Sequence, residues 1–207
     1  MNKTKKKILE SARCMFNSKG VSNVSIRMIS RELGISHSNL IYHFKDKNTL
    51  IEALHQQILE AALSLNESIN KEENTLKVLF TNIDKGFEII YDYRFFMIDL
   101  NLIMRENARL YSKFLEIEEL RFIMYKKKID ELIAEKILKP ETHNNEYDKV
   151  IKQIRVISDY WLSSAQIYDA NENPEQIIKS YSSLLKHLFF PYLTKTGHQL
   201  FCELTTR

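Results

Sequence analysis

Hydrophobic positions recur with helical spacing along nearly the whole chain, and the shortest-range pattern lies near its start. Ile26, Ile29 and Leu33 fall at i, i+3 and i+7, which gives a short helix one apolar face, and Ser25 can cap its N-terminus. Gly34 follows, the residue type that most readily takes a left-handed turn. Ile35 plugs the corner, Ser36 can cap a second helix, and Leu40 and Phe44 point inward from that helix at i and i+4. Ser30 is small where the two helices must cross. His37, Ser38, Asn39 and Tyr42 are left as polar groups near the exposed N-terminal part of the second helix. Such a pair reads as a helix-turn-helix, whose second helix enters a major groove. An ordinary helical hairpin with polar turns is the alternative on these residues alone.

Downstream the pattern stays helical. Asp46 can cap a helix from Lys47 to about Ser68, with Leu50, Ala53 or Leu54, Ile58, Ala61 or Ala62 and Leu65 at helical spacing. A break at 70–74 precedes a helix through Tyr91, and the turn at 91–94 leads into a segment at 95–107. A long helix is expected from about Leu110 to Ile137, ending before Pro140. A polar loop then leads to a helix from Tyr147 to Tyr168. Residues 169–174 separate it from a final helix, with Pro174 suited to the first turn. Pro191 ends or kinks that helix, and Gly197 is expected to mark another break before a short tail. The predicted fold class is all-α: an N-terminal three-helix helix-turn-helix head, residues 1–47, joined by a linking helix to a larger helical domain, residues 48–207.

Composition agrees. With 4 Gly and 3 Pro in 207 residues and 44% hydrophobic content, long helices are favoured over a sheet with many tight turns. No apolar run approaches the ~20 residues of a membrane span. The basic start, MNKTKKK, runs into an amphipathic stretch and not an apolar signal core, so no secretion signal is expected. Cys14 and Cys202 are too few for a disulfide framework, which fits a reducing cytoplasm. Charge is unevenly distributed. Residues 1–50 carry 10 Lys and Arg against 3 Asp and Glu, a balance of +7, whereas residues 51–207 carry 20 against 24, a balance of −4. A basic head on a mildly acidic body suits a protein that presents one face to nucleic acid. Four of those ten charges, Lys3, Lys5, Lys6 and Lys7, could instead form a solvated tail.

The first 60 or so residues resemble the TetR (tetracycline-repressor-like) family of bacterial transcriptional regulators. KKKILESARCMFNSKG, VSIRMISRELGIS and NLIYHFKDKNTLIEAL carry the resemblance, with Ile8, Ala12, Phe16, Gly20, Ile29, Gly34, Ser36, Leu40, Tyr42-His43-Phe44, Lys47 and Leu50 at the family's spacings. Ser38 stands where the family often has a smaller residue such as Gly, and Ile41 where it usually has an aromatic one. The resemblance implies backbone anchors to DNA at Ser25, Arg27, Ser36, Tyr42, His43 and Lys47. Base reading would fall to His37, Ser38, Asn39 and Tyr42, with Asn39 able to pair bidentately with adenine and His37 able to meet a guanine acceptor edge. It also implies a homodimer joined through residues 147–168 and 175–190, and a palindromic or pseudo-palindromic double-stranded operator.

No enzyme motif is present. His198 and Cys202 at i, i+4 lack a second pair of metal ligands; Glu52 and His55 read as a surface pair, and Glu116, Glu118 and Glu119 as a solvated face. No metal or cofactor is expected. Aromatic and Met side chains in the middle of the body, among them Phe96, Met104, Tyr125, Trp161 and Tyr168, could line a small-molecule effector site. Asp99, Asn101, Arg105 and Asp159 could orient a ligand there. The reading is a cytoplasmic repressor released by a small apolar or aromatic effector. The alternatives are a ligand-independent DNA binder whose body docks a protein partner, and a helical enzyme that borrowed the head.

Overall fold

The computed structural model describes residues 3–67 and 74–205, and within them the chain forms α-helices with no strand. The head comprises α1 (Lys3–Lys19), α2 (Ile26–Glu32) and α3 (His37–His43). Ile8, Leu9, Ala12 and Phe16 form the buried stripe of α1 and meet Ile29, Leu40 and Phe44 from the other two helices. α4 (Lys47–Glu67) follows. Asp46 begins it as expected: its carboxylate accepts the Thr49 amide at 2.8 Å. The expected break at 70–74 lies outside the described residues except for Asn74, whose side chain accepts the Leu76 amide at 2.8 Å and starts the next helix.

That helix, α5 (Thr75–Asp92), runs through the centre of the body. Leu76, Val78, Leu79, Phe80, Ile83 and Phe87 are all buried, too many for a single stripe, and α4, α8 and α10 pack around it. The segment expected as one piece at 95–107 is divided into α6 (Arg94–Ile98) and α7 (Leu100–Glu106), with the break at Asp99. α8 (Ala108–Ala134) and α9 (Glu146–Tyr168) are the long helices. α8 stops short of the expected Ile137 because Lys136 takes a left-handed conformation, φ 56°. α10 (Pro174–His187) starts with Asn173 and Gln176 in a reciprocal capping box. The Lys186 ammonium reaches both carboxylate oxygens of Asp84, at 2.5 and 2.6 Å, tying α10 to α5.

The C-terminal end differs from expectation. Gly197 is no break; it lies inside α11 (Lys195–Thr205). The chain returns beside the α8–α9 connection, where the Lys139 amide donates to Tyr192 O at 2.8 Å and the Thr194 amide to Ile137 O at 3.0 Å. α11 packs so closely on this connection that a Cβ at Gly197 would sit 2.2 Å from the Ile137 carbonyl oxygen. Glycine is there for close approach, which a break reading of the sequence does not anticipate. No helix of the described residues is long and apolar enough to cross a membrane.

Gly197→Ala is therefore expected to lower stability by about 1–3 kcal/mol, because the obstructing atom is backbone and cannot rotate away. Chemical denaturation of the two proteins checks it, and Gly86→Ala, where an added Cβ meets nothing within 4 Å, serves as the tolerated control.

Candidate functional site

The head carries a polar helix on a rigid mount. Ser25 accepts the Met28 amide at 3.3 Å and Ser36 accepts the Asn39 amide at 3.1 Å, so both serines cap their helices. Gly34 sits at φ +64° and turns the chain between them. Ser30 is buried, its hydroxyl donating to Arg27 O at 3.0 Å, and this small residue lets α2 and α3 approach. Ser25, Arg27, Ser36, His37, Ser38, Asn39 and Tyr42 are all exposed. Tyr42 is 85% exposed. His43 is half-buried, with its ring edge-on to Tyr42 at 5.2 Å. Lys47 is turned inward: its ammonium donates to Val21 O at 2.9 Å.

In the body, α4, α5, α6, α8, α9 and α10 line a partly open cavity of about 220 Å³. Its walls are mainly apolar and aromatic, with Phe87, Phe96, Phe114, Tyr125 and Trp161 among them. Of the expected effector residues, Phe96, Tyr125 and Trp161 lie in this wall. Met104 and Tyr168 do not. The break at Asp99 carries α7 away from the cavity, so Met104 borders a separate surface hollow with Asn101, Arg105 and Tyr111. Tyr168 is the last residue of α9 and is 79% exposed.

The polar groups of the wall were not legible as such. His55, taken for half of a surface pair, is 4% exposed, stacks on Phe96 at 4.9 Å between ring centroids, and leaves its Nδ1 buried without a hydrogen-bond partner. Glu118, taken for part of a solvated face, is buried in the wall; it accepts from Arg121 at 2.5 Å, and Arg155 Nε lies 3.4 Å away. Asp159 is buried beside this cluster, with Oδ1 unpartnered. Both surprises have a sequence signal. His55 continues the apolar row Ile51, Ile58 and Ala62, and Glu118 continues the row Phe114, Ile117 and Tyr125. Asp99 serves another purpose than ligand orientation: its carboxylate accepts the Val21 amide at 2.7 Å. His198 meets the Phe190 ring, and no group of three or more potential metal ligands occurs among the described residues.

The model of bacterial regulatory proteins of the tetR family matches residues 8–54, and that of the TetR bacterial transcriptional repressor matches residues 54–201. The chain belongs to the TetR family of bacterial transcriptional regulators. Members of this family are DNA-binding proteins and not enzymes. Similar curated proteins include the probable HTH-type transcriptional regulator YttP of Bacillus subtilis, 34% identical over 84 residues, which are 37% of this chain and 41% of YttP. The HTH-type transcriptional regulator SAR2658 of Staphylococcus aureus is 29% identical over 91 residues, 44% of this chain and 49% of that protein. These matches thus span less than half of either relative. A TetR-family regulator from Marinobacter aquaeolei has a similar fold throughout, with a TM-score of 0.87 at 22% identity over 99% of this chain and 98% of that one. The complex of SmeT with triclosan has a TM-score of 0.67 at 15% identity, covering 95% of this chain and 94% of that one.

In this TetR-family chain His55 in the cavity wall and Asp159 beside the Glu118 cluster titrate in opposite senses. Burial, reinforced by Lys113, lowers the pKa of His55 from 6.5 to about 4. Burial and the neighbouring Glu118 raise that of Asp159 from 3.8 to about 6, against the pull of Arg121 and Arg155. Between these limits the unfolded chain binds more protons at His55, so its contribution to stability is present above pH 6.5 and is lost as pH falls towards 4. The folded chain binds more at Asp159, so its contribution is present below 3.8 and is lost as pH rises towards 6. The two slopes largely cancel. Relative to the parent protein, His55→Phe should make stability fall with rising pH across this window, and Asp159→Asn should make it rise, each by on the order of 2–3 kcal/mol. Denaturant unfolding at a series of pH values tests both, and two variants with unchanged pH profiles would refute the pairing.

Proposed function

We propose that the chain is a homodimeric, cytoplasmic repressor that binds a palindromic or pseudo-palindromic DNA operator and is released by a small apolar or aromatic molecule held in the body cavity. The observation that carries this reading is an exposed polar helix on a head whose core runs directly into the wall of a mainly apolar, partly open cavity. His37, Ser38, Asn39 and Tyr42 are assigned to base reading, and Ser25, Arg27, Ser36, His43 and Lys47 to phosphate anchoring. The ammonium of Lys47 already has one partner in Val21 O, so its role in anchoring draws on its remaining donors. Phe96, Tyr125 and Trp161 are assigned to the effector; the triclosan named with SmeT is a ligand of that protein, and is consistent with an effector of this kind on this fold.

Dimerisation is assigned to α9 and α10. Val156, Tyr160 and Ile167 project from α9 and Leu184 from α10, all exposed large apolar residues. Tyr181 donates to the Asp169 carboxylate at 2.8 Å and accepts from the Ser164 hydroxyl at 2.9 Å, which ties α10 to the end of α9. A second reading, a body that docks a protein partner, is favoured by Leu120, Ile123 and Met124, exposed together on α8.

Selection of operators from random DNA, followed by binding profiles of variants, tests the assignment. Asn39→Ala is expected to relax preference at one base pair per half-site, at a cost of about 1–3 kcal/mol per half-site. His43→Ala should weaken all sequences about equally. With about 6–10 phosphates contacted, the slope of log affinity against log salt should be roughly −5 to −9. A failure to select any sequence, together with a flat salt response, would refute DNA binding by this head.

A further inference from the structure

We propose that the body cavity takes a neutral, hydroxyl-bearing aromatic molecule of about two fused rings, with the hydroxyl hydrogen-bonded to His55. This rests on the effector reading above and names the class of ligand. Three observations lead to it. The first is size. At about 220 Å³ the cavity exceeds the ~150 Å³ that accommodates benzene and falls below the roughly 300 Å³ at which drug-sized sites begin. Two fused rings fill that interval.

The second is the shape of the apolar wall. Phe96, Phe114 and Trp161 contribute aromatic side chains from α6, α8 and α9, and aromatic ligands pack favourably against such rings, offset-stacked or edge-on. The third is the polar inventory. His55 is buried against Phe96 with Nδ1 unpartnered, and a buried polar group without a partner is costly until a ligand supplies one. A hydroxyl both donates and accepts, so it satisfies the imidazole in either tautomer. The charged groups that line the cavity, Glu118 and Arg121, already engage one another, and Glu118 also faces Arg155, whereas Asp159 with its unpartnered Oδ1 does not line it. A charged ligand would have to displace one of these partners or leave its charge unpaired against a mainly apolar wall. A neutral ligand does neither.

The test is titration calorimetry of the full chain at pH 7 with four probes: 2-naphthol, naphthalene, 2-naphthoate and 2-naphthylmethylammonium. 2-Naphthol should bind about 3- to 10-fold more tightly than naphthalene, and both charged probes should bind more weakly than naphthalene. His55→Phe keeps a ring against Phe96 and removes both nitrogens; it should bring 2-naphthol down to the affinity of naphthalene while leaving naphthalene within about twofold. The probe series on the parent protein stands without the variant if the variant does not fold. Tightest binding of either charged probe, equal affinity for 2-naphthol and naphthalene, or no binding of any probe would overturn the proposal. Operator affinity in the same solutions separates the two readings. If 2-naphthol binds as expected and operator affinity does not change, the ligand class stands and release by this effector fails.

Discussion

Phe95 and Phe96 hold the molecule together at the point where its two parts meet. Their rings point in different directions, 82° apart between planes. Phe95 lies 5.2 Å from Phe16 of α1, in the core of the head, and Phe96 lies 4.9 Å from His55 of α4, in the wall of the cavity. Both are almost fully buried, so each contributes about 1.5–3 kcal/mol by removal from water alone. Hydrogen bonds fix the same junction. The Phe95 amide donates to Asn17 Oδ1 at 3.1 Å, and the Asn17 side-chain amide donates to Asp92 O at 2.8 Å. The peptide groups of Val21 are held from two sides, by Asp99 beyond α6 and by Lys47 at the start of α4.

This arrangement constrains how the cavity can affect the head. α4 is a continuous covalent link, and its first turns are buried through Leu50, Ile51 and Leu54. α6 is a second link made only of contacts. A change at the cavity wall that moves Phe96 also moves its neighbour Phe95, which α1 packs against. Phe95 is close-packed against Phe16 on the side of the head, and close packing transmits displacements. A coupling of about 1–3 kcal/mol, the loss or gain of one or two such contacts, is enough to change an affinity by roughly 5–150-fold.

Much of this was legible in the sequence where local rules decide the outcome. Ser25, Gly34, Ser36, Asp46 and Pro174 sit at helix ends for reasons of capping and backbone conformation, which act over three or four residues. The polar row on α3 follows from the same periodicity. What escaped was decided by long-range packing. The break at Asp99 depends on an acceptor for an amide 78 residues away. Gly197 looks like a helix breaker until Ile137 is placed against it. His55 and Glu118 are polar residues on apolar rows, a pattern that marks a buried polar group in the structure but that a count of charges assigns to the surface. Met104 shares the composition of the cavity wall and is excluded from it only by the direction that α7 takes after the break.

Head and body share one hydrophobic core and are expected to open together. Native-state hydrogen exchange across the full chain tests it most directly. Amides of Ile29 and Leu40 in the head and of Leu162 in the body should exchange through openings of the same free energy, and Phe95→Leu should lower that value in both places. Head amides that exchange through an opening several kcal/mol smaller than that of the body, and that do not respond to Phe95→Leu, would contradict the account.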